Sequence, residues 1–350
     1  MLFFSTLVIS CIFAVELCFS SPLPAPIVGG TWSSLPPIPI APRMEQTTVA
    51  VSDSEIFILG GIFPFVLGQT FDPTTAVVQS YSIHTNTWKN ASSLPMPMNH
   101  LNAAAVDGKI YVLGGLAPAP GTEWPPTSVW PAVNDCWVYN PAQDTWTRLP
   151  TNVTDNQLRG AAAVGVHGKV IYLAGGMTDG LGGSVATVSA YDTVSGEWLK
   201  LPSKATDMPA ARDHAGAAVI GNTFYVLGGR DHGQANVKDD VFALDLLNLE
   251  SGWMTKEGKM PTPRGGICVG NVDGKVYTFG GEGNPAGGSN GVYNETEVYD
   301  SVSDTWTKLS PMPLPRHGTS AVTVGGRIFI PGGGVFEGGD PVDNFTVFAP

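Results

Sequence analysis

The chain has 350 residues, 43% of them hydrophobic and only 14% charged, with 43 glycines, 29 prolines and a formal net charge of −12. Apolar residues at this density exclude a disordered chain, and so much Gly and Pro suits many short strands joined by tight turns. The acidic balance and the lack of any long basic run exclude a nucleic-acid surface and a docking patch for anionic membranes.

The first 20 residues, MLFFSTLVISCIFAVELCFS, are almost wholly apolar, and the helix-breaking SPLPAPIVGG follows. The pattern predicts a secretory signal peptide over residues 1–21, with Cys18 and Ser20 small enough for the cleavage positions. An uncleaved membrane anchor is the alternative at this place; no other segment has the length to span a bilayer. Residues 22–350 then form the mature domain, expected to be secreted, monomeric and free of the membrane. Four N-x-S/T sequons, at Asn90, Asn152, Asn294 and Asn344, fit a glycoprotein. Cys136 and Cys268 remain after cleavage.

From residue 54 onward one phrase keeps returning: SEIFILGG, GKIYVLGG, GKVIYLAGG, GNTFYVLGG, GKVYTFGG and GGRIFIPGG. The Gly-Gly pairs begin at Gly60, Gly114, Gly175, Gly228, Gly280 and Gly332, at intervals of 54, 61, 53, 52 and 52. A period of this size signals a repeat architecture. Downstream lies a second phrase, YSIHTNTW, YNPAQDTW, YDTVSGEW or YDSVSDTW, with Tyr and Trp seven apart. The fourth copy, LDLLNLESGW, has Leu244 for Tyr and two extra residues. A Pro-rich turn such as SLPMPMNH or KMPTPR follows each Trp, and a strand of small and β-branched residues leads to the next Gly-Gly. Each unit therefore predicts four antiparallel strands, and six such sheets bury their faces only by packing on one another.

Gly-Gly, Tyr and Trp recurring in register resemble the kelch-repeat β-propeller family over roughly residues 28–350. The resemblance implies an all-β, six-bladed propeller. Its last copy ends at NFTVFAP, with Phe348 at the Tyr position and no Trp after it. The missing Trp is Trp32, in GGTWSSLPPIP, so the N-terminal strand is expected to complete the final blade. Cys136 and Cys268 then fall on roughly opposite blades, too far apart for a disulfide, and are expected as buried free thiols.

Counting 16 residues back from four Gly-Gly pairs gives Arg159, Arg212, Arg264 and Arg316; Arg43 lies one residue further off in copy 1, and Met98 stands in copy 2. Two readings stay open. The arginines form a positive ring at the channel mouth that takes carboxylates in bidentate fashion, as in some kelch propellers, or they are struts bonded to neighbouring blades. His100 and His214 share one repeat position, 14 before Gly-Gly, and His317 sits one residue earlier. A three-histidine metal site is conceivable there, but blades two apart are expected to keep the side chains separate, so no metal is expected. Arg230 and His232, in GGRDHG, lie on the loop above the same face, and Glu45 and Glu282 can add carboxylates. No cofactor is implied: the Tyr/His/Cys set of copper oxidases resembling galactose oxidase is missing. The expected function is a secreted binding module for an acidic small molecule, glycan or protein. The alternative is an accessory enzyme or product-steering factor. The family includes a sialic-acid mutarotase and factors directing glucosinolate breakdown, and short secreted members occur in fungal secondary-metabolite pathways.

Overall fold

A computed structural model describes residues 29–69, 72–119, 130–150, 158–181 and 183–350. The predicted signal peptide, residues 1–21, and Asn152 lie outside the described residues. Six four-stranded antiparallel sheets are arranged as blades, within residues 47–91, 103–148, 163–198, 216–255, 268–308 and 322–349. The sixth is completed from the other end of the chain. Strand Thr31–Leu35 pairs with Phe345–Ala349, placing Trp32 directly opposite Phe348. The two extra residues of the fourth copy are taken up by a single 3-10 turn, Leu249–Ser251.

Among the described residues the hydrophobic core is divided into six clusters, one at each junction between blades. Tyr172 meets Phe224 and Phe242 between blades 3 and 4, and Tyr81 meets Phe329 and Phe345 between blades 1 and 6. Tyr and Trp seven apart are direct cross-strand partners: Tyr81 faces Trp88, Tyr139 faces Trp146 and Tyr299 faces Trp306. These three Trp also tie their blades to the turn before, because Trp88, Trp146 and Trp306 donate Nε1 to the carbonyls of Pro36, Ser92 and Gly258, all at 2.9 Å. Aromatic bulk with one polar handle suits this half-buried seam.

The Gly-Gly pair answers to the next blade. Gly280 has φ +58°, and a Cβ there would stand 2.2 Å from the carbonyl oxygen of Arg316. The amide of Gly281 donates to that same oxygen at 3.0 Å. A side chain would thus remove both the left-handed turn and the inter-blade bond.

Cys136 lies on the third strand of blade 2 and Cys268 on the first strand of blade 5; both are buried, and they form no disulfide with each other. Among the described residues no helix is long and apolar enough to cross a membrane.

Candidate functional site

One residue from each blade meets at the axis. Glu45, His100, Ala161, His214, Gly266 and Gly318 all have left-handed backbone, with φ between 51° and 62°. Each amide donates to the carbonyl of the preceding member, and Glu45 closes the circle on Gly318, at distances from 2.5 to 3.2 Å. The six copies therefore end in a closed ring of six hydrogen bonds around the channel. Only glycine occupies this conformation without cost; a side chain there costs about 1–2 kcal/mol. Glu45, His100 and His214 keep side chains all the same, and strain of this kind accumulates at functional sites.

Those three side chains converge. His100 Nε2 lies 3.0 Å from His214 Nε2 and 3.1 Å from Glu45 Oε2, and His214 Nε2 lies 3.7 Å from the same Glu45 oxygen. The far side of each imidazole is held: His100 Nδ1 against Asn99 Oδ1 and His214 Nδ1 against Asp213 Oδ1, both at 2.6 Å. Asp213 also accepts Arg230 Nε at 2.9 Å and the Ser184 hydroxyl, and Arg230 Nη1 pairs with Glu282. His317, fully buried, places Nδ1 3.3 Å from Glu282 Oε2 and 3.8 Å from Glu45 Oε1. Burial pushes His100 down to about 4. Burial and Arg230 oppose a proton on His214, but its bonds to Asp213 and Glu45 outweigh them and raise it to about 9. Burial also opposes ionisation of Glu45, yet the two histidines hold its carboxyl well below the usual range.

On the same face, loops of blades 4, 5 and 6 enclose a cleft of about 590 Å³. Its walls include Val237, Pro263, Pro285, Tyr293 and Phe336, and Glu337 is the charged side chain among its described lining. The cleft adjoins the axial cluster, since Gly338, next to Glu337, directs its amide to Glu282 Oε2 at 3.3 Å.

The comparisons with known proteins agree with this architecture. A sequence model of the KLHDC2/KLHL20/DRC7 kelch-repeats domain matches residues 27–206 and 160–333. The chain belongs to the kelch-repeat family. This kelch protein is 38% identical to Kelch-like protein terF of Aspergillus terreus, over 99% of the chain and 74% of the relative. It is 28% identical to human Kelch-like protein 34 over 69% of the chain, spanning only 36% of that protein's length. The solved structure of YjhT superposes with a TM-score of 0.70 over 89% of this kelch chain and 96% of that one, at 17% identity, which speaks to the fold alone.

Two geometric expectations need correction. Arg43, Arg159, Arg212, Arg264 and Arg316 do not form a solvent-facing ring at the mouth: they are 0–3% exposed. Nor do they strap neighbouring blades together; each side chain runs into its own blade, and all but Arg212 bond both to the segment that ends in Gly-Gly and to the strand after it. Arg43 donates to Val77 O and Gln79, Arg159 to Leu173 O and Ser189, and Arg316 to Ile330 O and Thr346. Arg212 meets Asp240, and Arg264 meets Glu297. Burial lowers Arg43 to about 9 and Arg159 and Arg316 to about 10. The second correction concerns the histidines. Blades two apart do bring His100 and His214 into contact, because their ring positions lie at the axis, where separation between blades vanishes.

Arg230 enters the axial cluster, whereas the side chain of His232 is 65% exposed and pairs with Asp231 at 2.5 Å. Sequence reasoning passed over Asp213, Asn99 and Ser184. A signal for the first two exists: a hydrogen-bonding residue precedes each ring histidine, in RDH and MNH.

Proposed function

We propose that this kelch propeller is a secreted binding module whose loop face holds a small organic molecule in the cleft of blades 4, 5 and 6. The observation that carries the reading is the cleft itself. Its volume lies within the range of small-molecule sites, and its lining combines apolar walls with a few polar groups, as such sites do. With the five arginines committed inside the blades, the preference for an acidic ligand loses its carrier. Glu337 at the rim favours a neutral or cationic molecule instead. Secretion and glycosylation remain part of the proposal: Asn90, Asn294 and Asn344 are exposed and open to modification.

A second reading is favoured by the contact among Glu45, His100 and His214. Two imidazoles and a carboxylate within hydrogen-bonding reach can move a proton on a bound molecule, as an accessory enzyme of a fungal secondary-metabolite pathway would need.

The test is a thermal-shift screen of matched neutral, cationic and carboxylated aromatic and glycan probes on wild type and Phe336→Ala. Neutral or cationic probes are expected to raise the wild-type melting temperature, with the shift at least halved in F336A. Preferential stabilisation by the carboxylates, or equal shifts in both proteins, overturns the cleft reading. Mass analysis of the recovered probe separates the two functions, since a module returns it unchanged.

A further inference from the structure

We propose that Glu45, His100 and His214 bind one first-row divalent transition-metal ion on the propeller axis. The three facing atoms form a triangle with sides of 3.0, 3.1 and 3.7 Å. The point equidistant from them is about 1.9 Å from each, so an ion at the ~2.0–2.2 Å typical of imidazole and carboxylate ligands sits just off their plane with no donor moved. Their close approach needs an explanation: two imidazole Nε2 atoms and a carboxylate oxygen repel as bare acceptors, and either a shared proton or a cation relieves that.

The outer contacts are those of metal-bound histidines. Asn99 and Asp213 receive the Nδ1 protons, which fixes both tautomers with Nε2 free to ligate and makes each imidazole a better donor. The charge count agrees. Glu45, Asp213 and Glu282 carry three negative charges against one positive charge on Arg230, so the cluster with neutral imidazoles is two charges short, which a divalent ion restores. The competitor is Arg230 Nη2, 3.3 Å from His214 Nε2, and losing that long contact leaves Arg230 its bonds to Asp213 and Glu282. His317 is a further pointer: wholly buried, its Nδ1 has no hydrogen bond and faces the carboxylates of Glu45 and Glu282.

The other ring positions are Ala161, Gly266 and Gly318, which offer no donor side chain. One half of the ion's surroundings is therefore open, toward an adjoining axial cavity of about 110 Å³ lined by all six ring residues. Three protein ligands with open positions suit a reactive or substrate-binding ion rather than a closed structural one. Two imidazoles and one carboxylate favour Fe²⁺, Co²⁺ or Zn²⁺ over Mg²⁺ or Ca²⁺. The site is independent of what the cleft holds.

The experiment titrates Co²⁺ into the full-length mature protein after stripping with EDTA, reading visible d–d absorption, with Zn²⁺ followed by calorimetry. One equivalent is expected to bind. His100→Ala and Glu45→Gln should abolish the spectrum, and Asp213→Asn should weaken binding by about 10–100-fold, the usual effect of removing an outer partner. His232→Ala, altering an exposed histidine outside the cluster, should bind as wild type. Absence of stoichiometric uptake by wild type at about 1 mM Co²⁺ overturns the proposal whether or not any variant folds, because specific three-ligand sites saturate far below that. A wild-type spectrum in folded H100A, or one lost only in H232A, overturns it too.

Discussion

Arg264→Met should cripple the fold. Arg264 and Glu297 both have side chains with no solvent exposure, and their bond is 2.6 Å. The guanidinium also donates to Gly280 O at 2.6 Å, to Thr262 O at 2.9 Å and to Thr278 Oγ1 at 2.9 Å. After the substitution, the buried Glu297 keeps only the Thr262 hydroxyl at 2.8 Å and the largely exposed Lys308 ammonium at 3.9 Å. Removing one partner of a buried pair costs about 3–5 kcal/mol, because an uncompensated charge stays behind. At about 1.5 °C per kcal/mol for a chain of this length, the melting temperature should fall by roughly 4–8 °C. Arg212→Met should cost about 1–3 kcal/mol, the scale for losing one charged hydrogen bond, because Asp240 can turn to solvent. Adding Glu297→Gln to R264M should recover part of the loss, since no charge is then stranded. The assay is calorimetry or denaturant unfolding of the four proteins. R264M melting within 2 °C of wild type, or E297Q deepening its loss, would refute the reasoning and return the arginines to the channel mouth.

In EDTA-treated protein, stability should peak near pH 6.5. His214, raised to about 9, stabilises fully below its ordinary 6.5 and loses that contribution as pH climbs through 9; His100, lowered to about 4, stabilises above 6.5 and loses it as pH falls through 4. Glu45 and Asp213, both held below their usual range, steepen the acid limb. An alkaline limb persisting unchanged in folded His214→Gln, followed by urea unfolding from pH 5 to 10, would contradict the assignment. Deleting residues 22–36 should lower the melting temperature and promote association, because strand Phe345–Ala349 becomes an open edge; a truncated protein as stable and monodisperse as wild type would disprove closure by that strand.

Much of the fold was legible because a repeat states its own rules six times. Gly-Gly marks where the chain turns left-handed under the next blade, Tyr and Trp seven apart mark a cross-strand pair, and an orphaned Phe348 with a distant Trp32 marks the closing blade. These are local or register-level constraints, and periodicity exposes them. The arginines recurred just as plainly, yet their role was not legible. A period says that a position is equivalent in every blade but not whether its side chain faces water, and the partners Gln79, Ser189, Asp240, Glu297 and Thr346 are all different residues. The axial cluster was the least legible. Glu45, His100 and His214 are more than 50 residues apart in sequence, and His214 comes from a copy that is not consecutive with either of the other two. By itself the sequence determined the number of blades, the strand order and the closure, since each follows from short-range pattern. Only the tertiary structure decided which groups meet at the axis, because closing the ring of six backbone hydrogen bonds is what carries residues from non-adjacent blades to within 3.0 Å of each other.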